Sequence, residues 1–207
     1  MTKKKEYNYW LLTPLFGTIL FAVLYLLAAY FYPGGSQADA NAPGFSWINN
    51  YWCNLLNEKA INGQVNPARP IALLAMIVLS STLSAFWLLF AGRSSTGKVL
   101  KFVIGASGIL SMAAGFFLFT ATDHDLVTNL ASAFGLLAVI GTLIGLYTMK
   151  WRGLFAYGLA NLVLVAVNNY VYYNKGLLLY LPVIQKITFA AFLIWICLIS
   201  LRLYRGK

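Results

Sequence analysis

Six long apolar runs, joined by connections whose charge alternates, constrain this chain more than any other feature. The runs cover about residues 10–32, 70–91, 99–121, 126–149, 153–173 and 177–203. Each approaches the roughly 20 residues that carry a helix through a hydrocarbon layer about 30 Å thick. Nearly every face of each run is apolar and strand-like alternation is absent, which argues against a β-barrel. Only 10% of the residues are charged, against about 25% in soluble chains, and the mean hydropathy is +0.73. The sequence therefore predicts an all-α integral membrane protein, a single domain over 1–207 with six transmembrane helices.

The charge pattern orients those helices. Fifteen Lys and Arg face five acids. Lys3, Lys4 and Lys5 precede the first run; Arg93, Lys98 and Lys101 join the second to the third; Lys150 and Arg152 join the fourth to the fifth; Arg202, Arg205 and Lys207 close the chain. By the positive-inside rule both termini and these connections are cytoplasmic, and residues 32–69, 122–125 and 174–176 are outside. The basic excess then reports orientation and contact with anionic membrane lipids rather than a nucleic-acid partner. A bacterial cytoplasmic membrane is the expected location. The first run exceeds the 7–15 apolar residues of a signal-peptide core, and Ala38-Asp39-Ala40 lies beyond Pro33-Gly34-Gly35, so a retained helix is expected rather than a cleaved signal.

The outer connection between the first two runs is the long one. Ser46 is positioned to cap an amphipathic helix over about 46–60, with Trp47, Ile48, Tyr51, Trp52, Leu55 and Leu56 on one face and Asn49, Asn50, Cys53, Asn54, Asn57 and Glu58 on the other. Such a helix would lie at the membrane interface. Cys53 is outside and Cys197 falls toward the inner end of the last run, so no intramolecular disulfide is expected. Gly141-x-x-x-Gly145 fits the close helix contacts of a membrane bundle.

The outer minority of polar residues holds the candidates for chemistry. Asp123-His124-Asp125 combines two acids with the single histidine, a set suited to proton transfer, with helix-capping aspartates as the simpler explanation. At the same predicted level lie Glu58, Arg69, Asn129, Asn168, Asn169 and Lys186 as ligand-binding candidates. If the last helix begins at Leu177, Lys186 sits nine residues in, about 14 Å along the axis; if it begins at Pro182, Lys186 snorkels to the interface. Asn161, deeper in the fifth run, suits a hydrogen bond between helices.

Several sharper chemistries fail on spacing or residue count. Gly105-Ala106-Ser107-Gly108 matches the serine motif of rhomboid-type proteases, but His124 is 17 residues along the same run, roughly 25 Å away, so no dyad forms. One histidine is too few for a zinc hydrolase or paired-histidine haem site, and no metal or cofactor is expected.

Asn50-x-x-Cys53-Asn54-Leu55-Leu56, followed by Asn62-Gly63-x-x-Asn66-Pro67 leading into the second run, resembles the Asn-x-x-Ser-Asp-Leu-Gly plus Asn-Gly pattern of a group of small six-helix bacterial and archaeal membrane proteins. These form domain of unknown function 998, distantly similar to the eukaryotic Frag1/DRAM/Sfk1 proteins. His124-x4-Asn129, with Phe134 following, is similar to the histidine-containing start of a later helix in that group. Here Cys53-Asn54 stands where the pattern has Ser-Asp. The resemblance implies six helices and membrane residence, with no settled activity.

The sequence points to a multi-pass membrane protein expected to bind a lipid headgroup or small ligand in an outer-facing polar pocket. The alternatives are a lipid-modifying enzyme using His124 with Asp123 or Asp125, and, third, a transporter or channel.

Overall fold

The computed structural model describes residues 8–116 and 124–206. Its helices are α1 (Thr13–Tyr30), α2 (Arg69–Arg93), α3 (Lys98–Phe116), α4 (His124–Thr148), α5 (Arg152–Tyr173) and α6 (Leu181–Arg205), with 3-10 turns at Tyr9–Leu12, Trp52–Leu56 and Lys175–Tyr180. Among the described residues six helical spans are long and apolar enough to cross a membrane, and the described chain is all-helical apart from loops and two isolated bridges. The chain is accordingly a multi-pass membrane protein. Pro14, Pro70 and Pro182 each stand second in their helix. At Pro70 the missing N–H has no intrahelical partner to lose, and at Pro14 and Pro182 the proline stands where a 3-10 turn passes into the α-helix; in each the ring presets the helical φ.

The chain divides into two compact units. The first comprises Met1–Thr18, Leu79–Ala156 and Ile194–Lys207. Its packing relies on glycines that receive large side chains from neighbouring helices. A Cβ at Gly108 of α3 would collide with the indole of Trp87 in α2, and one at Gly17 with Thr82. Gly141 and Gly145, one turn apart on α4, receive different helices: Ile104 of α3 faces the first, and the ring edge of Phe90 in α2 would lie 3.0 Å from a Cβ on the second. The small-residue spacing thus serves contacts inside the unit, as glycine does wherever helices approach closely. Ser111 Oγ of α3 donates to the Ala131 carbonyl of α4 at 2.8 Å, and Trp195 Nε1 of α6 donates to the Leu154 carbonyl of α5 at 2.8 Å. Ser107, the serine of the protease-like motif, bonds back to the Val103 carbonyl within its own helix.

α4 ends in a Schellman motif. Trp151 N donates to the Leu146 carbonyl at 2.9 Å and Lys150 N to the Tyr147 carbonyl at 3.0 Å. Lys150 occupies the left-handed position with φ 61°. Glycine is the usual residue there, and an L side chain costs on the order of 1–2 kcal/mol.

The second unit comprises Ile19–Val78 and Tyr157–Leu193. Residues 31–68 form a hydrogen-bonded loop rather than the amphipathic α-helix expected over 46–60. Within that stretch the helical geometry is confined to the 3-10 turn Trp52–Leu56. The reason is local competition: asparagine amides bond neighbouring main chain and offer it an alternative to the helix ladder. Asn50 Oδ1 accepts from Ser46 N at 2.8 Å and its Nδ2 donates to the Gly35 carbonyl at 2.8 Å, while Asn54 Oδ1 accepts from Tyr51 N at 2.7 Å. Asn66 Nδ2 reaches the carbonyls of Asn54, Leu55 and Asn57, and its Oδ1 accepts from Ala68 N. All three asparagines are buried. Gly35, at φ 84°, brings its backbone so near Ile61 and Asn62 that a Cβ would collide with both.

Candidate functional site

The loop of the second unit is held on α6 by a lysine. Lys186 Nζ donates to the Asn50 carbonyl and, at 2.9 Å, to the Pro182 carbonyl one turn back. Its ammonium also lies 5.8 Å from the centre of the Phe45 ring. α6 begins at Leu181, after the 3-10 turn, and the half-buried Lys186 takes main-chain oxygens as partners instead of an acid or the interface. The next residue back, Gln185, accepts from Trp52 N at 3.3 Å. Tyr25 OH of α1 donates to the Trp52 carbonyl at 2.8 Å, so both main-chain polar atoms of Trp52 are fixed by side chains from helices.

The Trp52 ring sits in an aromatic cluster. Its centroid is 4.4 Å from that of Tyr25, 5.9 Å from Phe189 and 6.3 Å from Trp47; Phe21 lies 5.6 Å from Phe189. The rings of the closest pair meet edge to face, the arrangement the aromatic quadrupole favours.

Against this completeness stand a few buried polar atoms without a hydrogen-bond partner among the described residues: Trp52 Nε1, Thr188 Oγ1, Asn168 Oδ1, and both amide atoms of Asn161. Gln185, Thr188 and Phe189 follow at helical i, i+3 and i+4, so Thr188 shares the face of α6 that meets Trp52. Asn161 and Asn168 are seven residues apart and share one face of α5. Each such atom costs about 1–3 kcal/mol if it stays unpaired.

The other expected site residues that are described make contacts of their own. Glu58 Oε1 and Arg69 Nη1 form an ion pair at 3.4 Å, with Arg69 Nε also donating to the Leu56 carbonyl at 3.2 Å. Glu58 is largely exposed, and such pairs contribute little, about 0–1 kcal/mol. Asn169 is exposed and bonds the Val165 carbonyl within α5. Asn129 is exposed on α4 and belongs to the first unit. Asp123 and the side chains of His124 and Asp125 lie outside the described residues. Among the described residues no group of three or more His, Cys, Asp or Glu side chains is placed to hold a metal. Cys53 and Cys197 are free thiols. Part of Cys53 reaches the surface, yet desolvation pushes its thiol pKa up, with a smaller opposing effect from the Lys186 ammonium.

The Asn-rich motif acquires a physical role here. Asn50, Asn54 and Asn66 are the hubs of the loop, and Asn54 Oδ1 acts as an acceptor toward Tyr51 N and Asn50 Nδ2. An aspartate carboxylate can accept the same two bonds. What the sequence did not reveal was the pairing of Asn50 with Lys186 and of Trp52 with Gln185, contacts between residues more than 130 positions apart. Comparison of the chain with models of protein families, with characterised proteins and with solved structures returns no match.

Proposed function

We propose that this chain is a multi-pass protein of a bacterial cytoplasmic membrane, both termini cytoplasmic, which binds the uncharged polar group of a lipid or small amphiphile beneath its 31–68 loop. The observation that carries this reading is the pair Trp52 Nε1 and Thr188 Oγ1, buried without a hydrogen-bond partner among the described residues, beside a loop whose buried asparagine amides are bonded. An indole donor and a hydroxyl next to Tyr25 and Phe189 suit an ester, hydroxyl or amide joined to an apolar body. A charged headgroup is less well matched: Lys186 is engaged by two carbonyls, and Arg69 by Glu58 and Leu56. The likeness of the Asn50 and Asn66 motifs to domain of unknown function 998 is retained as a proposal of kinship. The enzymatic alternative stands on Asp123, His124 and Asp125 as a sequence pattern.

Native mass spectrometry of the full chain extracted from its membrane tests the reading. Wild type is expected to retain a lipid or amphiphile that a Trp52→Phe, Thr188→Val double variant loses. Equal retention by the two at similar thermal stability overturns it.

A further inference from the structure

The first unit contains a cavity of different chemistry from the polar group around Trp52. It measures about 410 Å³ and is lined by Lys150, Trp151 and Arg152 from the turn between α4 and α5, and by Arg202 and Arg205 from the end of α6. Leu154, Leu198 and Leu201 form its apolar wall. Lys150, Arg152 and Arg202 therefore bring three cations to one hollow that no described carboxylate lines. Like charges gathered in this way repel, and an anion between them removes the repulsion.

Four further features meet at the same hollow. The first turn of the 22-residue helix α5 opens there with no acidic residue, so its free N–H groups and dipole add to the positive field. The Arg202 guanidinium lies 5.5 Å from the centre of the Trp151 ring, which orients the arginine while its N–H fork stays available at the edge of the plane. Lys150 is held at φ 61°, where glycine would be unstrained, although Gly153 stands three residues on in a helical position with open space around it. Strain of this kind at a cation lining a cavity points to a requirement for the side chain. Trp195, fully buried, bonds the Leu154 carbonyl and so sets the apolar wall against the basic rim.

We propose that this cavity binds the phosphate group of an anionic phospholipid, the phosphate among Lys150, Arg152 and Arg202 and the start of the acyl chains along Leu154, Leu198 and Leu201. A guanidinium pair grips phosphate oxygens bidentately, and the leucines favour an amphiphile over a free ion. In the orientation proposed above the site belongs to the cytoplasmic leaflet, whose lipids carry the negative charge. It shares no residue with the polar group around Trp52 and does not depend on that reading.

The test uses purified full-length chain in neutral detergent, titrated separately with phosphatidylglycerol, phosphatidylcholine and inorganic phosphate, with bound species counted by native mass spectrometry. Wild type is expected to prefer phosphatidylglycerol over phosphatidylcholine by about tenfold, the preference falling to about twofold or less in Arg152→Gln, Arg202→Gln. A Lys98→Gln, Lys101→Gln double variant, which removes the same charge elsewhere on the first unit, should keep the wild-type preference. Lys150→Gly adds an independent readout: the melting temperature rises as the strained residue is relaxed, while phosphatidylglycerol binding weakens. No preference in wild type, or equal loss in both double variants, overturns the site. Saturable binding of inorganic phosphate that phosphatidylglycerol does not displace overturns the lipid assignment and leaves a soluble phosphate compound as the occupant.

Discussion

Lys186 of α6 donates to the main-chain oxygen of Asn50, 136 residues earlier in the chain. The bond joins the charged end of a lysine within a membrane-spanning segment to the midpoint of the 31–68 loop, and Asn50 in turn holds Gly35 and Ser46 through its amide. The loop is therefore anchored at its centre as well as at its ends.

Removing that anchor should loosen the loop before it unfolds the helices. Lys186→Met keeps the apolar stem but strands the Asn50 carbonyl, a loss of about 1–3 kcal/mol. Hydrogen exchange over residues 46–56 is expected to accelerate with exchange over α3 and α4 unchanged. An unaltered exchange pattern would show that the ammonium contributes nothing to holding the loop.

Asn66 is a more severe point of failure. Its amide satisfies three carbonyls and caps the approach to α2, so Asn66→Ala leaves several buried groups unpaired and should cost roughly 2–4 kcal/mol. Asn54→Asp retains the acceptor toward Tyr51 and Asn50 and should change the melting temperature far less. Thermal denaturation of the two variants side by side checks the contrast; comparable losses would contradict it.

The helix contacts predict opposite signs for two glycine substitutions. Gly108→Ala drives a methyl into the Trp87 indole and should destabilise by about 1–3 kcal/mol through overpacking. Gly92→Ala, in α2 with open space around the new methyl, should stabilise by about 0.5–1 kcal/mol because glycine loses more freedom on folding. A stabilised Gly108→Ala chain would mean that the Trp87 contact is not tight.

Burial of Cys53 gives its pH dependence a definite expected sign. Its folded-state pKa is raised, mainly by desolvation, so the thiolate is rarer in the folded chain than in the unfolded one at the same pH. The corresponding stability is complete below the unfolded pKa and is lost as pH rises through the folded one. Folded chain should react with iodoacetamide more slowly at Cys53 than denatured chain near pH 8, and Cys53→Ser should flatten the alkaline fall in stability. Faster labelling in the folded state would reverse the sign.

Six apolar runs and their approximate limits could be read directly, because hydropathy is a local property. The packing role of Gly141 and Gly145 was legible for the same reason, although not which side chains would meet them. The loop departs from its local pattern at the level of secondary structure. An apolar period of helical type is present over 46–60, but Asn50 and Asn54 commit their amides to main chain, and an isolated segment of this length gains too little from its helix to compete.

Sequence alone determined that this chain fills a membrane with helices and that its cations gather on alternate connections, since both follow from the cost of placing polar groups in hydrocarbon. Tertiary structure decided what those polar groups do. It made Lys186 a clamp on the loop, left Trp52 Nε1 and Thr188 Oγ1 without a hydrogen-bond partner among the described residues, and drew Lys150, Arg152, Arg202 and Arg205 around one cavity. Such outcomes depend on which distant residues folding brings within hydrogen-bond reach, a distance of about 3 Å that no spacing along the chain encodes.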